Sequence, residues 1–294
     1  MLFLFYLTLA GIFAGFVGSI VGIGGGILIV PLLSIVLKIP IKLAIGTSMI
    51  SVLGTSISAS RQFFKKNITN IPLGLTLEIP TTIGSIMGSL IIAYLKNKVV
   101  FIIFGIFIIF SGIFTYLKNR ISTSKASSKN NKTLLLRNSL DDNSNNKKFR
   151  LNYDSEYFEE STNKRIKYRV KNIHYGSIAS IFAGLFSGLL GIGGGIIKVP
   201  AMNILMNVPI KVATATSNYM IGITAVVSSI IYFYNGYINP VITIPVVIGV
   251  LAGGTIGSFI AGKLKNKNIV LFIFIIFIII GIIMLLRAFN ILNY

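Results

Sequence analysis

The sequence contains an internal repeat. The six residues Gly-Ile-Gly-Gly-Gly-Ile occupy positions 22–27 and occur again at 191–196. At the same spacing, residues 10–98 align with 179–267 without a gap, and roughly a third of the aligned positions are identical. Chance identity for such a composition is about one position in twelve. The chain is therefore a duplicated unit, and each copy carries the same glycine-rich interruption of an apolar run.

Hydrophobic residues make up 54% of the 294 residues, which indicates an integral membrane protein. The formal net charge of +20 could suggest nucleic-acid binding. However, six of the seven acidic residues and many of the basic ones lie between the two copies, and the other cations flank apolar runs. Cations in such places anchor helices and set their orientation in a membrane. We therefore expect a lipid bilayer as partner and no nucleic acid.

Each copy contains five apolar segments, of which four are long enough for the roughly 20 helical residues that span a hydrocarbon core. The segments are approximately 2–21, 27–37, 43–60, 71–95 and 99–117 in the first copy and 176–190, 196–206, 212–234, 240–262 and 269–288 in the second. Segments 27–37 and 196–206 are too short and each contains a proline. The sequence predicts an all-α membrane fold with about eight full spans and two short re-entrant or broken helices.

The predicted organisation is a first membrane repeat over 1–118, a linker over 119–172 and a second membrane repeat over 173–294. The linker is rich in Ser, Asn and Lys and lacks apolar periodicity, so we expect it to be disordered. Its positive charge places it in the cytoplasm of a protein in the cell membrane.

The two repeats are expected to be inverted relative to each other. Arg61, Lys65 and Lys66 mark the turn after the third segment as cytoplasmic, whereas the equivalent turn at 230–235 has no cation. Equivalent turns on opposite membrane faces require an odd number of crossings in each repeat. Lys96 and Lys98 then fall outside, against the charge rule.

The paired glycine loops are the first candidate for a substrate site. Successive glycines allow backbone N–H groups to converge on an anion, and a following short helix directs its positive end to the same place. Close helix packing is the alternative explanation for glycine in a membrane, and it suits Gly84, Gly88, Gly253 and Gly257 better. The candidate loop residues are Gly22, Gly24, Gly25, Gly26, Gly191, Gly193, Gly194 and Gly195.

Lys198 lies inside the short apolar segment of the second repeat, where the first repeat has Ile29. A cation at membrane depth is costly and is usually functional, so Lys198 could neutralise a bound anion. It could also extend to a nearby interface. Hydroxyl and amide groups open the next helix and could bind anion oxygens or cap helices. These candidates are Thr47, Ser48, Thr216, Ser217 and Asn218.

Glu78 is the one acidic residue outside the linker. We expect it to form an interfacial ion pair with Arg61 or Lys65, with proton transfer as the alternative role. There is no cysteine, no carboxylate pair, no Ser-His-Asp set and no metal-ligand pattern in the sequence. We therefore expect no metal, no cofactor and no enzymatic activity.

These motifs resemble the TauE/SafE sulfite exporter family of duplicated membrane permeases. The resemblance covers both membrane repeats, whereas the linker is longer and more charged than is usual in that family. It rests on the sequences at 22–26 with Pro31, at 191–200 and at 208–218. It implies transport of sulfite, an organosulfonate or a related small sulfur-containing anion, without specifying which anion or which direction.

The residues and the resemblance together predict a secondary transporter whose substrate binds between the two glycine loops. A cation or metal permease of the same fold is an alternative, although such proteins normally offer carboxylates, thiolates or histidines. A membrane scaffold that transports nothing is the other alternative. The sequence does not indicate the oligomeric state.

Overall fold

The computed structural model describes residues 2–21, 25–128, 153–159, 164–261 and 266–289. The first repeat contains helices α1 (Leu2–Val21), α2 (Gly26–Pro31), α3 (Ile41–Lys65), α4 (Ile71–Tyr94) and α5 (Asn97–Ser128). The second contains α6 (Ile173–Leu190), α7 (Gly195–Pro200), α8 (Ile210–Tyr234), α9 (Pro240–Ala261) and α10 (Asn266–Ala288). Strands β1 (Ser155–Glu159) and β2 (Lys164–Tyr168) lie between the repeats.

Eight of the ten helices have 18 residues or more, as the all-α prediction required. Seven are both long and apolar enough to cross a membrane within the described residues, and α10 contributes an apolar stretch over Phe274–Ala288. On α4, the side chains of Ile79, Ile83 and Leu90 point outward and are 48–67% exposed. An outward apolar face of this kind fits contact with lipid.

The two short helices are α2 and α7, and each continues after its proline as a π-helical turn, over Leu32–Val36 and Ala201–Leu205. The π-helical turn after α7 ends beside the start of α6. There the Lys171 N–H donates to the Met206 carbonyl oxygen at 3.1 Å. In the second repeat, the chain therefore runs into the bundle along α6 and turns back along α7 to the same end. This is the predicted re-entrant arrangement.

The two repeats are inverted. Helices α3 and α8 occupy equivalent positions in the repeat and pack antiparallel. Lys42, near the start of α3, donates to the Tyr237 hydroxyl just beyond α8 at 3.4 Å, whereas Phe64, near the end of α3, packs on Tyr219, near the start of α8. The turn after α3 and the equivalent turn after α8 therefore lie at opposite ends of the bundle. We call the end with residues 66–70 the linker end and the other the distal end.

Glycines allow the two repeats to pack closely. Helix α1 packs against α9, and α4 packs in the equivalent way against α6. A Cβ atom at Gly84 would overlap the Ile181 carbonyl oxygen, and one at its repeat mate Gly253 would overlap the Ile12 carbonyl oxygen. Gly88 and Gly257 make equally close backbone contacts with Leu185 and Phe16. These four glycines serve helix packing, as their small-residue spacing suggests.

Part of the linker differs from the disordered segment that the sequence suggested. Helix α5 continues to Ser128, and β1 and β2 form an antiparallel hairpin. The hairpin is anchored by Asn70, whose side-chain amide donates to the Tyr153 carbonyl oxygen and to the Tyr168 hydroxyl, each at 2.9 Å. Tyr157 is buried against α4 and α8. The linker is polar on average, but its aromatic residues are numerous enough here to bury apolar surface against the helices. Residues 129–152 lie outside the described residues.

Candidate functional site

The glycine loops reverse the chain between the long and short helices. Gly191, Gly193 and Gly194 have φ values of 72°, 77° and 70°, in the left-handed region that L side chains rarely adopt. Gly25, the repeat mate of Gly194, has the same conformation with φ of 72°. The loops thus begin α2 and α7 inside the bundle. Gly22 and Gly24 lie outside the described residues.

The two repeats meet at Ser48, in the first half of α3. Its hydroxyl donates to the Gly191 carbonyl oxygen at 2.7 Å and lies 3.2 Å from the Gly26 carbonyl oxygen. A Cβ at Gly26 would lie 2.7 Å from the same Gly191 oxygen, so little space separates the loops there. Because carbonyl oxygens converge on Ser48 and occupy its hydroxyl, this contact joins the repeats and does not itself offer donors to an anion.

Ser217 is the repeat mate of Ser48 and is in a different situation. It is buried, and its hydroxyl has no hydrogen-bond partner among the described residues. It faces Gly195 at the start of α7, where a Cβ would lie 3.6 Å from the Ser217 oxygen. A buried hydroxyl without a partner carries a desolvation cost of about 1–3 kcal/mol, which a bound ligand could offset. Of the predicted hydroxyls, Ser217 is the one available beside a glycine loop.

The other predicted polar residues are engaged in contacts within the protein. The Thr47 and Thr243 hydroxyls lie 3.1 Å apart, and the Thr216 hydroxyl accepts the Asn70 N–H at 3.0 Å. The Asn218 side-chain nitrogen donates to the Thr214 carbonyl oxygen at 2.9 Å. Thr47 and Thr216 therefore hold helices together in this state, while Asn218 retains further hydrogen-bonding capacity.

Lys198 does not extend to an interface. Its side chain projects from α7 into the bundle and is buried there. Its Nζ donates to the Thr224 hydroxyl at 3.1 Å and lies 3.6 Å from Glu78 Oε2. Thr224 in turn donates to Glu78 Oε1 at 2.6 Å. Three buried polar residues from α7, α8 and α4 thus form one connected cluster, the Lys198–Thr224–Glu78 cluster.

The expected partner of Glu78 was wrong. Arg61 and Lys65 are exposed at the linker end, whereas Glu78 is 4% exposed and pairs with Lys198 inside the bundle. The error arose because hydropathy locates a residue along its own helix and not against the helices that surround it. Thr224 was missed altogether. Its repeat mate Thr55 is also a threonine, but Ile29 and Val247 stand at the positions equivalent to Lys198 and Glu78. The inverted repeats therefore form this charged cluster once, without a symmetric second copy.

The cluster balances charge within the membrane region. Taking an ammonium and a carboxylate out of water costs several kcal/mol per ion, and their mutual attraction repays this only with good hydrogen bonding. Here Thr224 supplies hydrogen bonds to both groups. Glu78 Oε2 makes no hydrogen bond within the described residues, so it faces Lys198 through charge alone. In this state Lys198 is already neutralised.

No group of three His, Cys, Asp or Glu side chains within the described part of the chain is arranged to hold a metal ion. Near the two helix breaks, the described residues offer hydroxyls, the Asn218 amide, backbone groups and the Lys198 cation beside the Glu78 carboxylate. Such a set can bind and release a small ion or move a proton.

A bundle of long apolar helices in two inverted repeats, with a polar interior at two helix breaks, defines a multi-pass membrane transporter. The family model described as sulfite exporter TauE/SafE matches residues 7–284. The chain therefore belongs to the TauE/SafE family. It is 29% identical over 282 residues to the probable membrane transporter protein YunE of Bacillus subtilis, covering 94% of each chain.

A probable membrane transporter protein of Methanocaldococcus jannaschii is 27% identical over 296 residues, which cover 95% of this chain and 94% of the relative. The probable membrane transporter protein YdhB of Bacillus subtilis is 24% identical over 258 residues, with 88% and 89% covered. No solved structure matches the chain significantly.

Proposed function

We propose that this protein is a secondary transporter for a small anion, with sulfite or an organosulfonate as the preferred substrate. The observation that carries the proposal is Lys198, a cation buried next to a helix break in the membrane region. A charge at that depth is expensive and is retained where it serves transport. The name of the family, sulfite exporter, supports a sulfur oxyanion as substrate.

The proposed site lies at the break before α7. Ser217 and the residues of the second glycine loop face the start of this helix, and Lys198 follows Gly195 by one turn. A substrate anion there would have to compete with Glu78 for Lys198. Charge compensation by Glu78 keeps the empty site stable, and substrate can take its place in the transport cycle.

The driving force is the membrane potential. The sequence has no nucleotide-binding motif, and an inside-negative potential of 100 mV favours export of a monovalent anion by about 2.3 kcal/mol. We place the linker end in the cytoplasm, in agreement with the positive charge of the linker and of Arg61, Lys65 and Lys66.

Flux in proteoliposomes tests the proposal. Sulfite, sulfate, thiosulfate and sulfoacetate are offered in turn, and we expect saturable flux of sulfite or sulfoacetate that responds to an imposed potential. Removing Lys198 alone would leave Glu78 without a partner, so the variant is Lys198→Met combined with Glu78→Gln. We expect its flux to fall more than tenfold while the protein stays folded.

The matched control is Ile29→Met at the position equivalent to Lys198 in the first repeat. Ile29 is buried, and an exchange of this size in a core usually costs less than about 1.5 kcal/mol. The control should retain flux. Full flux in the double variant would remove Lys198 from the mechanism, and no flux of any of the four anions would contradict the proposed substrate class.

A further inference from the structure

A cavity opens at the linker end of the bundle, away from the Lys198–Thr224–Glu78 cluster. It has a volume of about 150 Å³ and lies between α1, α3, α8 and α9. Most of its lining is apolar, and the polar part comes from hydroxyl and amide groups, among them those of Thr55, Ser58, Gln62, Thr214 and Asn218. A cavity of this size holds a small oxyanion with a few water molecules.

The mouth of this cavity is basic. A second cavity of about 370 Å³ shares Gln62, Phe63 and Thr214 with the first, so the two are adjacent. Lys66 and Lys211 line this outer part, and Phe158 of the linker hairpin forms one wall. No carboxylate is among the described residues that line either part. Positive side chains at the mouth of a cleft attract anions and raise their rate of entry.

The equivalent place in the other half of the bundle is closed. The Ser85 and Ser228 hydroxyls are hydrogen-bonded to each other there, and the Tyr232 hydroxyl donates to the Gly188 carbonyl oxygen at 2.6 Å. Tyr232 is fully buried. The repeat mates of Ser85 and Ser228 are Gly254 and Ala59, which have no hydroxyl and border the open cavity.

The two equivalent places also differ in their capacity to bind an anion. Several polar residues of the open cavity have apolar repeat mates: Ser58 and Val227, Gln62 and Ile231, Thr214 and Ile45, Asn218 and Met49, Thr255 and Ile86. A duplicated unit would begin with the same residues in both halves, so the two places have diverged in sequence and differ in conformation as well.

We infer that this linker-end cavity is an entry site for a small oxyanion, in which Lys66 and Lys211 attract the ion and Ser58, Gln62 and the Asn218 amide bind it. The other hydroxyls of the lining, on Thr55, Thr214 and Thr255, donate to carbonyl oxygens of their own helices. The inference rests on the proposed anion transport and adds where the ion enters. The Ser85–Ser228 contact and Tyr232 close the opposite path while this one is open. Hydroxyl and amide groups suit an oxyanion because they can replace part of its hydration shell without a fixed positive charge.

Single cysteines test the inference, since the chain contains none. Ser58→Cys and its repeat mate Val227→Cys are compared for reaction with a membrane-impermeant maleimide in vesicles of known orientation. We expect Ser58→Cys to react from the linker side at least tenfold faster than Val227→Cys. Sulfate or sulfoacetate, which do not consume the maleimide, should slow the reaction of Ser58→Cys at least threefold.

A pair of charge variants provides an independent readout. Lys66→Gln with Lys211→Gln should raise the KM for the transported anion about three- to tenfold at low salt. The difference should shrink near 1 M salt, where charges are screened beyond about 3 Å. The matched control is Lys96→Gln with Lys98→Gln, which removes the same charge at the distal end and should leave the KM for entry from the linker side unchanged.

The outcomes separate the two proposals. Flux of one of the four anions without protection of Ser58→Cys, or faster reaction of Val227→Cys, overturns the entry site and leaves the transport proposal standing. Protection without flux supports the anion site and contradicts transport. Absence of both contradicts the proposed function and the entry site with it.

Discussion

Lys198 Nζ lies 3.6 Å from Glu78 Oε2, and both side chains are enclosed within the bundle. The two residues come from different repeats, on α7 and α4, and Thr224 of α8 hydrogen-bonds to both. This ion pair therefore connects three helices across the boundary between the repeats. It neutralises Lys198 in the absence of substrate.

Breaking this pair should destabilise the protein. We expect Glu78→Gln or Lys198→Met alone to cost about 3–5 kcal/mol, because each leaves an uncompensated buried charge. The double variant should recover most of this stability. Thermal unfolding in detergent measures the effect, with Arg61→Gln as a control that should change nothing. A single variant as stable as the double variant would show that the pair is not coupled.

Gly84 and Gly253 should be equally intolerant of large side chains. Replacement of either by leucine would force apart α4 and α6 or α1 and α9, since a Cβ already overlaps a backbone oxygen in both places. Overpacking typically costs 1–3 kcal/mol or more. The yield of folded protein in size-exclusion chromatography reports the loss. Ile83→Leu, next to Gly84 on the lipid-facing surface, is the control, and similar losses for all three variants would contradict the packing role.

Alanine variants of Ser48 and Ser217 should distinguish a structural hydroxyl from one that contacts substrate. Ser48→Ala removes the hydroxyl that joins the repeats at Gly191, so we expect a loss of about 1 kcal/mol. Ser217→Ala removes a hydroxyl with no partner in the described residues, so stability should be unchanged or higher. Because we place Ser217 in the substrate site, Ser217→Ala should also raise the KM for the transported anion. Thermal unfolding and flux are measured on both, and reduced stability of Ser217→Ala without a change in flux would contradict its place in the site.

The orientation can be read from two equivalent turns. Cysteines introduced as Lys66→Cys and Asn235→Cys should react with an impermeant reagent from opposite membrane faces, because the turns lie at opposite ends of the bundle. From the charge distribution, position 235 should react from outside in intact cells. Reaction of both from the same face would contradict the inverted repeats, and reaction of position 66 from outside would reverse only the orientation.

Sequence periodicity and repetition were sufficient for the membrane class, the ten helical segments and the two broken helices. Apolar runs and glycines act locally, and a repeat at fixed spacing identifies equivalent elements without any structure. The inversion could be predicted too. Cations such as Arg61 and Lys65 mark a turn as cytoplasmic, and this preference depends on the charge of the turn itself and not on how the helices pack. The hairpin was missed because its few aromatic residues are buried only against Asn70 and the helices beneath it.

The composition of the site was decided by the tertiary structure. The sequence offered Lys198 as a lone cation and assigned Glu78 to the wrong partner, because 120 residues of chain separate the two and no local pattern joins them. Similarly, Ser48 and Ser217 are equivalent in the repeat and each follows a threonine, yet the first lies within hydrogen-bonding distance of two carbonyl oxygens and the second has no partner among the described residues. Helix packing brings residues from different repeats together, and that packing depends on the whole bundle.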